Sequence, residues 1–227
     1  MNQTYSKHGY DATTDFFIPL RFSFCENAQS ALPLVALQYH DVEVRISWGT
    51  INAASSRWEC FSQFIHLDTD ERTALSSTPQ NMIITQTQKA IASSSKIQEL
   101  SFNHPMKYLV AKTTGSSDLT SAGNKIKLQI NGTDVTDFKD ADPHFTAIPM
   151  YYHTQSSVSE GNHNISTLLV PFCIDTSKLQ PTGSLNFSRL DSARIVSDTQ
   201  TNGSDIYGVN YNILRIENGM GGLMYSN

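Results

Sequence analysis

Asp142, His144 and His153 flank the stretch IPMYY, read here as a strand or loop, and a carboxylate with two imidazoles could converge on a transition metal. A metal-dependent barrel would gather several histidines and a glutamate on adjacent strands, whereas the histidines of this chain are scattered. A stray pair is more often structural, so no metal is expected. Asp134, Asp137, Asp140 and Asp142 crowd one loop and come nearest to a calcium or sugar site, but solvated loop acids are the ordinary explanation. Trp48, Trp58, Tyr151 and Tyr152 could stack on a sugar ring; the tryptophans, however, lie in strands among core-type residues, which favours packing. His104 precedes Pro105 and is pushed toward an extended conformation beside Phe102, Met106 and Tyr108, the setting of a hydrogen-bonded core histidine. Cys25, Cys60 and Cys173 are far apart and odd in number, so they suggest neither a disulfide framework nor a zinc knuckle, and a reducing compartment is the easier reading. No G-x-S-x-G, H-E-x-x-H, P-loop or G-x-G-x-x-G occurs. No enzyme and no cofactor are expected.

The elements that would have to position such residues are mostly strands. Charged residues make up 16% of the 227, well below the roughly 25% of ordinary soluble domains. Serine, threonine and asparagine fill the difference, and they serve turns and strand surfaces better than helix interiors. Period two dominates. In FFIPLRFSF one face carries Phe16, Ile18, Leu20, Phe22 and Phe24; in HDVEVRISW, Val42, Val44, Ile46 and Trp48 alternate with Asp41, Glu43, Arg45 and Ser47. KIKLQI sets Ile126, Leu128 and Ile130 against Lys125, Lys127 and Gln129. Such alternation predicts strands with one face on a core. WECFSQFIHL, NMIITQTQ, LSFNHPMKYLVAK, STLLVPFCI, SLNFSRLDSARIV and DIYGVNYNILRI are further strand candidates, with a bulge or bend where the apolar phase breaks around Arg189 to Asp191. NGTD at 131–134 and PTGS at 181–184 are tight-turn sequences, and residues 113–124, 153–164 and 197–205 are polar loops. One helix is predicted, in DTDERTALSS, capped by Asp68 with Glu71 three residues on. Strands at irregular spacing with long loops predict a jelly-roll sandwich.

Net charge is −5 with no block of basic residues, which argues against direct nucleic-acid binding. The opening residues lack the apolar segment of a signal peptide, and ALPLVAL and TLLVPFCI are too short to cross a bilayer, so a soluble, non-secreted protein is expected. Asn-x-Ser/Thr triplets at Asn2, Asn131, Asn164, Asn186 and Asn202 are what an Asn-, Ser- and Thr-rich chain produces by chance.

Several stretches together carry a resemblance. FIPLRFSFCENAQSALPLVALQYHDVEVRI, HLDTDERTAL, LSFNHPMKYLV, KIKLQINGTD, LQPTGSLNFSRLDSARI and YNILRIENGMGGLMYSN occur in this order. Together they resemble the double-jelly-roll major capsid proteins of nucleocytoplasmic large DNA viruses, the alga-infecting and iridovirus-like groups above all. That resemblance implies two eight-stranded rolls per polypeptide. Three polypeptides would form a pseudo-hexagonal capsomer that contacts neighbouring capsomers and minor capsid proteins. The shell would lie close to an internal virion membrane without spanning it and would be assembled in the host cytoplasm.

The resemblance divides the chain into a leader (1–15), the last strands of an incomplete first roll (16–67), a helical linker (68–79), and a second roll with a C-terminal tail (80–227). Three strands cannot close an eight-stranded barrel, so the first part expects a partner, as in a fragment or split gene product. The tail, NGMGGLMYSN, is expected to seat at the capsomer base, with Gly219, Gly221 and Gly222 turning the chain and Met224 and Tyr225 anchoring it. The alternative from another class is a carbohydrate-binding jelly-roll module.

Overall fold

The computed structural model describes residues 19–47, 59–112, 118–154 and 167–225. The leader, Phe16, Ile18, Trp48, Trp58 and the Asn2 and Asn164 triplets lie outside these residues.

The predicted helix forms as α1 (Thr69–Ser77). The Asp68 carboxylate accepts from the Thr69 N–H at 2.7 Å and the Glu71 carboxylate accepts from the Asp68 N–H at 3.2 Å. These bonds satisfy donors that a helix start leaves without intrahelical partners. Strands follow: β1 (Gln80–Ala90), β2 (Ile97–Glu99), β3 (Pro105–Lys112), β4 (Lys125–Ile130), β5 (Thr133–Asp134) and β6 (Lys139–Asp140). After two short helices, α2 (Ala141–His144) and α3 (Ala147–His153), come β7 (Thr167–Pro171), β8 (Leu185–Asn186), β9 (Ala193–Ser197), β10 (Ile206–Glu217) and β11 (Met220–Leu223).

Two antiparallel sheets result. One runs β1–β10–β3–β7, with β8 added to β3 and β11 to β10; the other runs β2–β9–β4–β5, with β6 added to β4. With the short additions β6, β8 and β11 set aside, the sheets read first–eighth–third–sixth and second–seventh–fourth–fifth along the chain. This is the jelly-roll weave that the strand pattern and the resemblance predict. The inner faces meet in one core, where Met106, Leu109 and Leu168 of one sheet pack with Ile126, Leu128 and Ile195 of the other. Burial of each such side chain contributes about 1.5–3 kcal/mol.

The ends of the roll are knitted by buried amides. Asn124, 1% exposed, accepts at Oδ1 from the Ser197 and Thr199 hydroxyls and from the Thr199 and Gln200 N–H groups, while its amide donates to the Leu119 carbonyl. Gln98 accepts at Oε1 from the Ser93 N–H and from the amide of buried Asn202 at 2.6 Å. Asn202 is therefore committed to the interior rather than presented as a surface triplet. At the 131–134 turn, Asn131 and Gly132 both take positive φ (49° and 76°) and join β4 to β5 as a two-residue hairpin. Asn131 Oδ1 also accepts from the Asp191 and Ser192 N–H groups. There the predicted bend appears, as a 3-10 turn over Phe187–Arg189 between β8 and β9.

Two expectations are corrected. IPMYY is neither strand nor loop but part of α3. Pro149 is tolerated because it sits in the first turn, where its missing N–H has no intrahelical acceptor. The strands expected before α1 do not form among the described residues. Residues 19–47 carry 3-10 turns at Ser23–Cys25, Ala28–Ser30 and Leu34–Ala36, and residues 41–47 and 59–68 carry no ladder. The alternating pattern is present, but a strand is completed by a neighbour's N–H and C=O groups, and these segments have no such neighbour among the described residues.

Candidate assembly surface

The C-terminal tail is built from Asn218 and Gly219. Both take positive φ (53° and 78°), which closes the two-residue turn that returns β11 alongside β10, with Glu217 paired to Met220 and Leu214 to Leu223. Beyond β11 the Met224 N–H donates to the Ile213 carbonyl. The Asn212 side chain then holds Tyr225 by both backbone groups, accepting from its N–H at 3.1 Å and donating to its carbonyl at 2.9 Å. Asn212 is 1% exposed and thus acts as an extra ladder rung. The Tyr225 ring stacks on His104 at 6.0 Å between centroids. His104 itself is buried, as predicted, although at φ 71° rather than extended.

The tail hairpin grips the segment before α1. The Tyr39 N–H donates to the Gly219 carbonyl at 3.0 Å, and the Gly221 N–H donates to His40 Nδ1 at 3.0 Å. Neither glycine has room for a side chain: a Cβ on Gly219 would lie 2.6 Å from the Tyr39 ring, and one on Gly221 would lie 2.9 Å from Leu37 Cδ2. Gly219 and Gly221 therefore face Leu37–His40 of their own chain. Gly222 has open space around it, and Met224 and Tyr225 stay partly exposed. The sequence reading missed Leu37, Tyr39, His40 and Asn212. The Asn-Gly dipeptide at 218–219 was the available signal for the hairpin; nothing local marks residues some 180 positions away as its seat.

Next to this clasp, 3-10 turn Leu34–Ala36 packs on α1, leaving a shallow cleft of about 240 Å3 lined by Val35, Gln38, Thr69, Arg72, Thr73 and Ser76. The larger feature is bare apolar surface. Leu20, Phe22 and Leu34, then Val42, Val44 and Ile46, then Phe61, Phe64 and Ile65 are all exposed, Phe61 to 81%. So many large apolar side chains left exposed along one stretch of chain are what an interaction surface presents.

The residues considered for chemistry are dispersed. Asp134 pairs with Lys127 at 2.7 Å, a hydrogen bond that holds its carboxyl below the ordinary range. Asp142 accepts from the Thr146 hydroxyl, and His153 Nδ1 lies 3.0 Å from both the Cys173 and Ile174 carbonyls. Among the described residues no group of three or more His, Cys, Asp or Glu is arranged for a metal. Tyr151 and Tyr152 stand exposed on α3, edge to face at 5.0 Å. Lys107 is buried, which pushes its ammonium pKa down; its Nζ donates to the Lys178 carbonyl at 2.8 Å and lies 5.6 Å from the Tyr211 ring centroid. Burial likewise pushes the Tyr211 phenol up to about 12. No helix among the described residues is long and apolar enough to cross a membrane.

Comparisons with known proteins bear on this surface. A family model described as large eukaryotic DNA virus major capsid protein matches residues 110–222, and one described as major capsid protein N-terminus matches residues 1–110. The major capsid protein of Pyramimonas orientalis virus is 32% identical over 260 aligned positions, covering 100% of this chain and 65% of that protein. That of Paramecium bursaria Chlorella virus 1 is 26% identical over 297 positions, covering 93% and 67%. The chain thus spans about two thirds of the length of these curated relatives. A solved structure of the PBCV-1 virus capsid superimposes with a TM-score of 0.69 at 24% identity, covering 93% of this chain and 70% of that one.

Proposed function

The chain belongs to the major capsid protein family of large eukaryotic DNA viruses, and from that premise we propose that it is a structural subunit of a virion shell. It acts by packing rather than by chemistry. Three copies form a pseudo-hexagonal capsomer, and capsomers and minor proteins tile the shell close to an internal membrane, after assembly in the host cytoplasm. The proposed division is a second roll from Gln80 onward, a helical linker at 68–79, and the last part of a first roll before it. The tail surface left open by the clasp, Gly222, Met224 and Tyr225, contributes to contacts at the capsomer base. Gly219 and Gly221 contribute indirectly, by holding the segment that runs toward the bare apolar surface.

The observation that carries this reading is a complete eight-stranded roll joined to a long apolar surface that nothing in the described chain covers. Light scattering coupled to size exclusion tests it. A defined trimer is expected, and a clean, stable monomer across the accessible concentration range overturns it.

A further inference from the structure

The dipeptide Asn-Gly occurs three times, at 131–132, 202–203 and 218–219. A glycine after asparagine lets its own backbone nitrogen approach the asparagine's side-chain amide closely, because no Cβ stands in the way. The three pairs share that intrinsic reactivity, and the fold sets them apart. Asn131 Oδ1 accepts from the Asp191 and Ser192 N–H groups at 2.9 and 3.1 Å. Asn202 is 1% exposed; its amide donates to Gln98 Oε1, and its Oδ1 accepts from the Ser204 N–H at 3.1 Å. Asn218 is exposed at the tip of the tail hairpin, and its side chain makes no hydrogen bond among the described residues.

Reaction requires the asparagine to swing its Cγ over the nitrogen that follows. Asn131 and Asn202 must first give up the hydrogen bonds that hold their side chains, and at Asn202 these are buried, where an unmade bond costs most. Asn218 gives up none. The chemistry needs only water. The Gly219 nitrogen loses its proton to a solvent base and attacks Asn218 Cγ; the bond from Cγ to the side-chain nitrogen breaks, and ammonia leaves. One water then opens the cyclic imide at either carbonyl. Opening at one restores the ordinary backbone with an aspartate side chain. Opening at the other routes the backbone through the side chain, as isoaspartate.

We propose that Asn218 is the site at which this chain deamidates, and that isoaspartate formed there undoes the clasp. Only Asn218 and Gly219 lie between the paired Glu217 and Met220, and both take positive φ. Isoaspartate adds a methylene to this two-residue turn and sets a new carboxylate beside Glu217. The Gly219 carbonyl and the Gly221 N–H, which hold Tyr39 and His40, are positioned by that turn. Neither step depends on the chain's being a shell subunit.

Peptide mapping by mass spectrometry, on the 227-residue chain aged at mildly alkaline pH, tests the site. In the folded chain, conversion at Asn218 should run at least about tenfold faster than at Asn131, and Asn202 should be slower still. In urea strong enough to unfold the chain the three rates should converge, because the glycine neighbour is then all that counts. Conversion at Asn131 or Asn202 as fast as at Asn218 in the folded chain, or a ranking that survives urea, overturns the assignment. Hydrogen exchange reads the consequence. The aged chain should lose protection at the Tyr39 and Gly221 amides in step with its isoaspartate content. Asn218→Gly keeps a residue suited to positive φ and removes the reactive amide, so it should hold its protection through the same ageing. Protection unchanged in the converted chain, or lost equally in Asn218→Gly, overturns the effect on the clasp.

Discussion

The roll from Gln80 to Tyr225 and the arm formed by residues 19–47 and 59–68 are written in the same alternating pattern, yet they end in opposite states. KIKLQI becomes β4 because β9 lies beside it in register, Leu128 opposite Ile195, and its apolar face closes on Leu109 and Leu168 from the other sheet. DVEVRIS carries an equally regular alternation and forms no ladder, with Val42, Val44 and Ile46 left at the surface. Period two gives a chain a face to bury but supplies neither the strand beside it nor the sheet beneath it. Where both exist among the described residues, alternation becomes core; where they do not, its apolar face is left at the surface.

Substitutions sharpen that contrast. Leu109→Ala, at a fully buried position between the sheets, should cost about 3 kcal/mol by urea unfolding. An unchanged midpoint there would mean that the roll is not the cooperative unit. Asn124→Ala removes one acceptor from four donors at the end of the roll and should cost about 2 kcal/mol in the same assay. Gly219→Ala combines a φ of 78° with a collision against the Tyr39 ring, and should cost about 1 kcal/mol. Its sharper signature is faster hydrogen exchange at the Tyr39 and Gly221 amides, and unchanged protection there would show that the clasp does not hold the arm.

A pH experiment addresses the interior alone. Tyr211 has its phenol raised to about 12 by burial, so the folded state binds this proton more tightly than the unfolded state does. Stability from this group is complete below pH 10 and falls as pH rises from 10 toward 12. Tyr211→Phe should lack that component, so the difference between the two proteins changes in this window and stays flat near neutrality. The smallest effect is expected in the arm: Val44→Ala should shift the unfolding midpoint by no more than about 0.5 kcal/mol, because the side chain buries little. A large loss there would mean that the arm is covered in solution under the conditions of the assay.

Much of the roll was legible before any coordinates. β1, β3, β4, β7 and β10 each fall within a stretch that the sequence reads as a strand, α1 begins at its Asp–Glu box, and a 3-10 turn over Phe187–Arg189 lies at the start of the expected phase break. α3 was misread because five residues of IPMYY are too few for period two and period 3.6 to separate, and because proline argues against a helix everywhere except its first turn. The tail's glycines were legible as a place where the chain turns, but not the residues of the same chain that it meets. Glycine types say that something comes close; they do not say that it is Tyr39 and Leu37.

Alternation, turn dipeptides and one capping box are local, so the sequence by itself determined the longer strands of the roll, the turn at 131–134 and the helix start. Order along the chain carried the family as well. Which alternating segments find a partner is a matter of contacts between residues far apart in number, and those depend on how the whole chain closes. Only the tertiary structure decided that the roll completes itself with eight strands, that Asn212 binds Tyr225 as an extra ladder rung, and that the tail's glycines hold the arm while its strand-like residues stay bare.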